Sequence, residues 1–140
     1  MGAYPAALLS AIVTIMAIAL YIVMSFRVGS MRGKHNVNAP AVTGAPEFER
    51  AYRVQMNTLE QMPVFLPALW LATVFFKPVG YLPAILGVIW IVGRVLYMEG
   101  YMADPSKRGF GFLISAVCQL LLLILAMTGI AMAWMAVHAS

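Results

Sequence analysis

The chain has 140 residues, of which 63% are hydrophobic and 10% are charged, and nine Lys and Arg outweigh five Asp and Glu to give a net charge of +4. Soluble domains carry about a quarter charged residues, so composition excludes an ordinary soluble fold. The basic residues form only a narrow patch beside apolar segments, which argues against a nucleic-acid partner.

The pattern predicts an all-α membrane protein, one domain over residues 1–140, with four membrane-crossing helices at about 4–28, 47–76, 79–102 and 109–137. Helix 1 begins near Pro5, a good first-turn residue, and ends near Gly29. No basic residue precedes it, and its apolar stretch from Tyr4 to Phe26 exceeds the roughly 7 to 15 residues of a secretory signal core, so it reads as a retained helix. The following GSMRGKHNVNAPAVTGAP is rich in Gly, Pro and Asn and is expected to be irregular. Its Arg32, Lys34 and His35 serve either as attraction for anionic headgroups or as part of an anion site.

Helix 2 starts near Pro46, with Glu47 and Glu49 in the first turn where the helix dipole favours acids. Arg50, Arg53, Asn57 and Glu60 follow at spacings of three, four and three, which puts them on one stripe of that helix. The stripe runs into the apolar MPVFLPALWLATVFF, and charge carried to membrane depth marks a functional site by default. Pro63 and Pro67 each remove a helical hydrogen bond and are expected to bend the helix beside Asn57 and Glu60.

After the turn KPVGYLP, helix 3 carries Arg94, Tyr97 and Tyr101 on one face, flanked by Gly93 and Gly100, which permit close approach of a neighbour. A charge at Arg94 calls for a carboxylate, and Glu60 is the expected partner, either to fix helix packing or to serve the site. YMADPSKRGFG breaks the chain at Pro105 and brings Lys107 and Arg108 to the start of helix 4. Helix 4 holds Gln119 as its one strongly polar residue, Cys118 as a small packing residue, and Trp134 and His138 at an interfacial position. Because loops one and three hold most of the Lys and Arg, both are expected on the cytoplasmic side.

No HExxH, CxxC or GxSxG pattern is present, and the two histidines lie at opposite ends, so neither a metal site nor a nucleophile motif is expected. What remains is a cleft rich in guanidinium groups, formed by Arg32, Arg50, Arg53, Arg94 and Arg108 with Gln55, Asn57, Glu60, Tyr97 and Tyr101. Guanidinium groups suit carboxylates and phosphates, and one carboxylate among them suits an amine. Glutathione, with two carboxylates and one ammonium, satisfies that set.

The run PEFERAYRVQMNTLEQMPVFLPALWLATVFF, then GRVLYMEGY, then Arg108, resembles the MAPEG superfamily of membrane-associated proteins in eicosanoid and glutathione metabolism over about the whole chain. It is most similar to the branch of microsomal glutathione transferase 2, leukotriene-C synthase and five-lipoxygenase-activating protein. The resemblance implies a homotrimer of four-helix subunits that binds glutathione between neighbours near the cytoplasmic face. It carries Arg32, Arg53, Gln55, Asn57, Glu60, Tyr97 and Tyr101 onto glutathione contacts, and Arg108 onto the arginine held to stabilise the glutathione thiolate. Gly33 and Gln61 depart from an arginine and a tyrosine of the synthases, which separates this chain from leukotriene-type chemistry but not from glutathione binding.

The expected function is therefore a membrane glutathione transferase acting on lipophilic electrophiles, with peroxidase action on lipid hydroperoxides as a further capacity. A non-catalytic lipid-binding scaffold is the alternative, and a structural or transport bundle the blandest reading. The short form, without a retention signal, suits a bacterial inner membrane.

Overall fold

The computed structural model describes residues 3–139. In chain order it comprises α1 (Ala3–His35), α2 (Pro46–Phe75), α3 (Leu82–Ala103), a 3-10 turn (Pro105–Arg108) and α4 (Gly109–His138). The described residues contain no strand, and all four α-helices are long and apolar enough to cross a membrane.

Helix α1 continues past Gly29 to His35, so Arg32 stands on a helix and not in an irregular loop. Single glycines cost a helix only about 1 kcal/mol each, whereas Arg32, Lys34 and His35 in the last turn complement the negative end of the helix dipole. Asn36, at φ 53°, takes the left-handed position that stops the helix. Helix α2 begins on Pro46, carries Glu47 and Glu49 in its first turn, and runs through both Pro63 and Pro67 to Phe75. Membrane helices tolerate such prolines because neighbouring groups re-satisfy the freed carbonyls.

Helix α2 packs against each of the other three. The core forms where Phe65 of α2 stacks on Trp90 of α3, ring centroids 3.8 Å apart and planes 2° from parallel. Leu69, Cys118 and Leu122 close around this pair. The Trp90 indole Nε1 donates to Gln119 Oε1 at 2.9 Å, which explains the one strongly polar residue of α4. Ser10 and Thr73 hydroxyls join α1 to α2 at 2.7 Å, and Trp70 Nε1 donates to Thr14 Oγ1 at 3.1 Å. Outward faces carry Ile12, Ile15, Leu113, Leu120 and Met127, all exposed in the single chain and apolar enough to meet acyl chains. Replacing Gln119 by leucine strands the buried indole N–H; the expected loss is about 0.6 to 1.7 kcal/mol, read as a lowered unfolding midpoint in detergent.

Two glycine contacts fix how α4 lies on its neighbours. A Cβ on Gly111 would meet the Tyr97 backbone nitrogen and sit 2.6 Å from the Gly93 carbonyl oxygen, and a Cβ on Gly129 would sit 2.5 Å from the Phe75 carbonyl carbon. Backbones approach that closely only where side chains are absent.

Candidate functional site

The site is assembled by the end of α3. Pro105 disfavours helical geometry in the residue before it, and Asp104 is extended at φ −158°, ψ 122°. Its Oδ1 accepts from the Ser106 backbone N–H at 2.9 Å, and Lys107 N–H donates to the Asp104 carbonyl at 2.9 Å, so the chain coils into one 3-10 turn. The hydrogen bonds from Ser106, backbone first and side chain second, hold the Asp104 carboxyl below the usual carboxylate range. A lowered carboxyl supports the turn above its unfolded pKa and loses that support only as pH falls through the acid range. Gly100 lets the turn lie against α3, since a Cβ there would sit 2.8 Å from the Lys107 carbonyl oxygen.

The turn delivers Arg108 to the tyrosines of α3. Its guanidinium carbon lies 5.6 Å from the Tyr101 ring centroid. Tyr97 and Tyr101 are themselves in contact, centroids 5.6 Å apart. From α2, one turn apart, Arg53 and Asn57 complete the wall. Arg53, Asn57, Tyr97, Tyr101, Arg108, Gly109 and Phe112 together line a cavity of about 340 Å³, at the lower end of the usual range for small-molecule sites. Five of the residues singled out from sequence share this cavity. Two arginines, an amide and two phenols face one another there, a donor-rich set suited to carboxylate or thiolate oxygen and sulfur.

Phe112 was not singled out from sequence. It follows Arg108 by four residues, one turn into α4, and its ring lies 6.4 Å from that of Tyr97. That helical spacing from Arg108 is the signal that would have found it.

Five other candidates lie elsewhere. Arg94 is fully buried behind the cavity, where its Nη2 donates to Asn57 Oδ1 at 2.9 Å and its guanidinium carbon lies 4.1 Å from the Tyr97 ring centroid. The expected Arg94–Glu60 pair is not formed: among the described residues Arg27 pairs with Glu99 at 3.0 Å and His35 Nε2 lies 4.0 Å from a Glu47 carboxylate oxygen, while Glu60 is exposed. Asn57 lies three residues before Glu60, about 4.5 Å along the axis, and the register of α3 on α2 brings Arg94 to the amide.

Gln55 faces α1, donating to Ser25 Oγ at 2.8 Å. It stands two residues from both Arg53 and Asn57, hence about 160° away from each around the helix. Arg32 donates to the Val37 and Ala41 carbonyls at 3.3 and 2.7 Å and covers the Phe48 ring at 4.8 Å, pinning the loop between α1 and α2. Arg50 donates to the Met102 carbonyl at 3.3 Å and lines a shallower depression with Glu49, Arg53 and Tyr101.

Comparison with known proteins agrees with this architecture. Residues 10–128 match the MAPEG family. The chain is 40% identical to microsomal glutathione S-transferase 2 of Homo sapiens over 124 residues, covering 89% of this chain and 83% of the relative. It is 37% identical to leukotriene C4 synthase of Bos taurus over 122 residues, 87% and 80% of the two chains. An uncharacterised protein of Synechocystis is 42% identical over 120 residues, 86% of each chain. With four membrane-crossing helices and a family match over most of its length, this is an integral, multi-pass membrane protein, and the chain belongs to the MAPEG family.

Proposed function

We propose that the protein is a membrane glutathione transferase that holds the glutathione thiolate at the bilayer boundary and conjugates it to lipophilic electrophiles, with lipid hydroperoxides as a further substrate class. One observation carries the reading: Arg53 of α2 and Arg108 beyond α3, 55 residues apart in sequence, line a single cavity with Asn57, Tyr97 and Tyr101. The identity of about 40% to microsomal glutathione S-transferase 2 supports it. Arg53 and Asn57 supply charge-assisted and neutral donors for the peptide's carboxylates. Arg108, at the rim over Tyr101, supplies the cation for the sulfur. The apolar electrophile concentrates in the bilayer and approaches past Phe112, exposed at the start of α4.

The positions of Arg32, Gln55 and Glu60 support a homotrimer with shared sites. Within one chain all three stand outside the cavity, yet Glu60 is an exposed carboxylate on a membrane-crossing helix, a costly arrangement unless a neighbour or ligand covers it. Packing of identical subunits brings Arg32 and Gln55 of one against the cavity of the next, with loops one and three facing the cytosol of a bacterial cell, at its inner membrane.

Calorimetry of the detergent-solubilised protein with glutathione tests the reading. Saturable binding is expected, weakened about tenfold in Arg53→Ala, the loss of one hydrogen bond to a charged group. Lipid binding without any heat from glutathione would overturn it in favour of a non-catalytic scaffold.

A further inference from the structure

Arg94 is the one charged residue among the described residues that is fully buried, at 0% exposure, and it sits on a membrane-crossing helix. Its Nη2 donates to Asn57 Oδ1, while its Nε and Nη1 have no hydrogen-bond partner. Neither the Arg27–Glu99 pair nor the His35–Glu47 contact includes it. A guanidinium stranded in this way is strongly disfavoured unless negative charge is supplied nearby. No side chain in contact with Arg94 supplies it. Asn57 and Tyr97, which touch Arg94, are instead two of the residues that wall the cavity.

Donor and acceptor logic then fixes the Asn57 amide. A guanidinium has five N–H donors and no acceptor, so the atom turned toward it must be the amide oxygen, as observed at 2.9 Å. The amide nitrogen, which carries the only donors of that side chain, is thereby left for the cavity. Free of this restraint, an asparagine presents either end at similar cost, and an oxygen turned inward would repel an anion.

We infer that Arg94 is a positioning residue: by engaging Asn57 Oδ1 it dedicates the Asn57 amide to donation into the cavity, and with its uncompensated charge close behind the wall it makes the site selective for an anionic oxygen of the ligand over a neutral amide. The inference rests on the glutathione reading above and adds what sets specificity. Arg94 itself does not line the cavity, so it acts through Asn57 and through its field.

The test measures discrimination between ligands and not affinity alone. Glutathione and its two mono-amides, one at each carboxylate, are titrated calorimetrically into wild type, Arg94→Leu, Arg94→Gln, Asn57→Ala and the double variant Arg94→Leu/Asn57→Ala. In wild type, amidation of at least one carboxylate is expected to weaken binding about tenfold or more, the scale of a hydrogen bond to a charged group. In Arg94→Leu that ratio falls toward one, because the released amide can turn its oxygen to accept from the ligand's new N–H2. Arg94→Gln, close in size and able to bond either end of Asn57, keeps the measurement available if the leucine variant does not fold, and the same fall is expected. Against Asn57→Ala, removing Arg94 lowers the ratio by less than it does in wild type, the remaining fall being the part carried by its field and the difference the part carried by Asn57. An unchanged ratio in a folded Arg94 variant, with all three ligands weakened alike, overturns the inference and leaves glutathione binding standing; so does a wild type indifferent to both amidations. A wild type that binds none of the three removes the functional reading and this inference together.

Discussion

Replacing Arg108 by alanine is expected to lower kcat/KM for conjugation of a small aryl halide at pH 7, by about threefold to at most about 25-fold, with a loss that shrinks as pH rises. An ordinary thiol of pKa about 8.5 is ionised to about 3% at pH 7, and the thiolate is the nucleophile. A cation that lowers this to about 6.5 raises the ionised fraction to about three quarters, at a differential stabilisation of about 2.7 kcal/mol. The ratio of the two fractions gives the 25-fold. The sign with pH follows directly: activity of the native protein rises to a plateau just above neutrality, while that of Arg108→Ala keeps rising to about pH 9, where both thiols are ionised and the rates converge. The less stabilised thiolate is also the stronger nucleophile, by about six- to tenfold for a two-unit difference in pKa at a Brønsted slope of about 0.4 to 0.5. About 25-fold is therefore the upper bound of the loss, and the curves come together faster. A glutathione-dependent ultraviolet thiolate band titrated in both proteins reads the same displacement without turnover. A loss in Arg108→Ala that stays constant across pH would mean that Arg108 orients the peptide and leaves the thiol's ionisation alone.

The largest structural effect is expected from Gly111→Ala. The added Cβ meets backbone on the facing helix, the Tyr97 nitrogen and the Gly93 carbonyl oxygen at 2.6 Å, and backbone cannot swing aside as a side-chain tip can. The two helices must part. Overpacking of a close contact costs about 1 to 3 kcal/mol and sometimes more, and here the displaced segment begins at Arg108, while the displaced partner carries Tyr97 and Tyr101. A shift of about 1 Å in a group that must meet a reacting atom can cost about 100-fold in rate. Gly111→Ala should therefore lower both the unfolding midpoint and kcat. Gly29→Ala is the control: a Cβ there has no heavy atom within 4 Å, and stability and activity should both be retained. Equal behaviour of the two variants would show that the approach of α4 to α3 is not what sets the site.

Much of this protein is legible in its sequence because the membrane imposes a simple rule. Every backbone group must be satisfied inside the bilayer, so four long apolar runs become four helices. Within each helix the 3.6-residue period decides which side chains share a face. Arg53 and Asn57 on one helix, and Tyr97 and Tyr101 on another, were readable as pairs for that reason, and they do line one cavity. The end of α1 was less legible, because its glycines suggest a break while the cationic last turn and Asn36 place the stop later.

The period is silent on how one helix is rotated and slid against the next. The sequence alone determined the class, the four crossings, the polar stripe of α2 and the arginine after α3. Only the tertiary structure decided that Arg94 reaches Asn57 and not Glu60, that Gln55 turns to Ser25 on α1, and that Phe112 joins the wall beside Arg108. Those choices depend on axial register and interhelical distance, which are set by contacts between residues far apart in the chain: Gly93 against Gly111, Gly129 against Phe75, and Phe65 on Trp90. A helix fixes its own faces locally, whereas the choice of partner for each face is made only when all four helices pack.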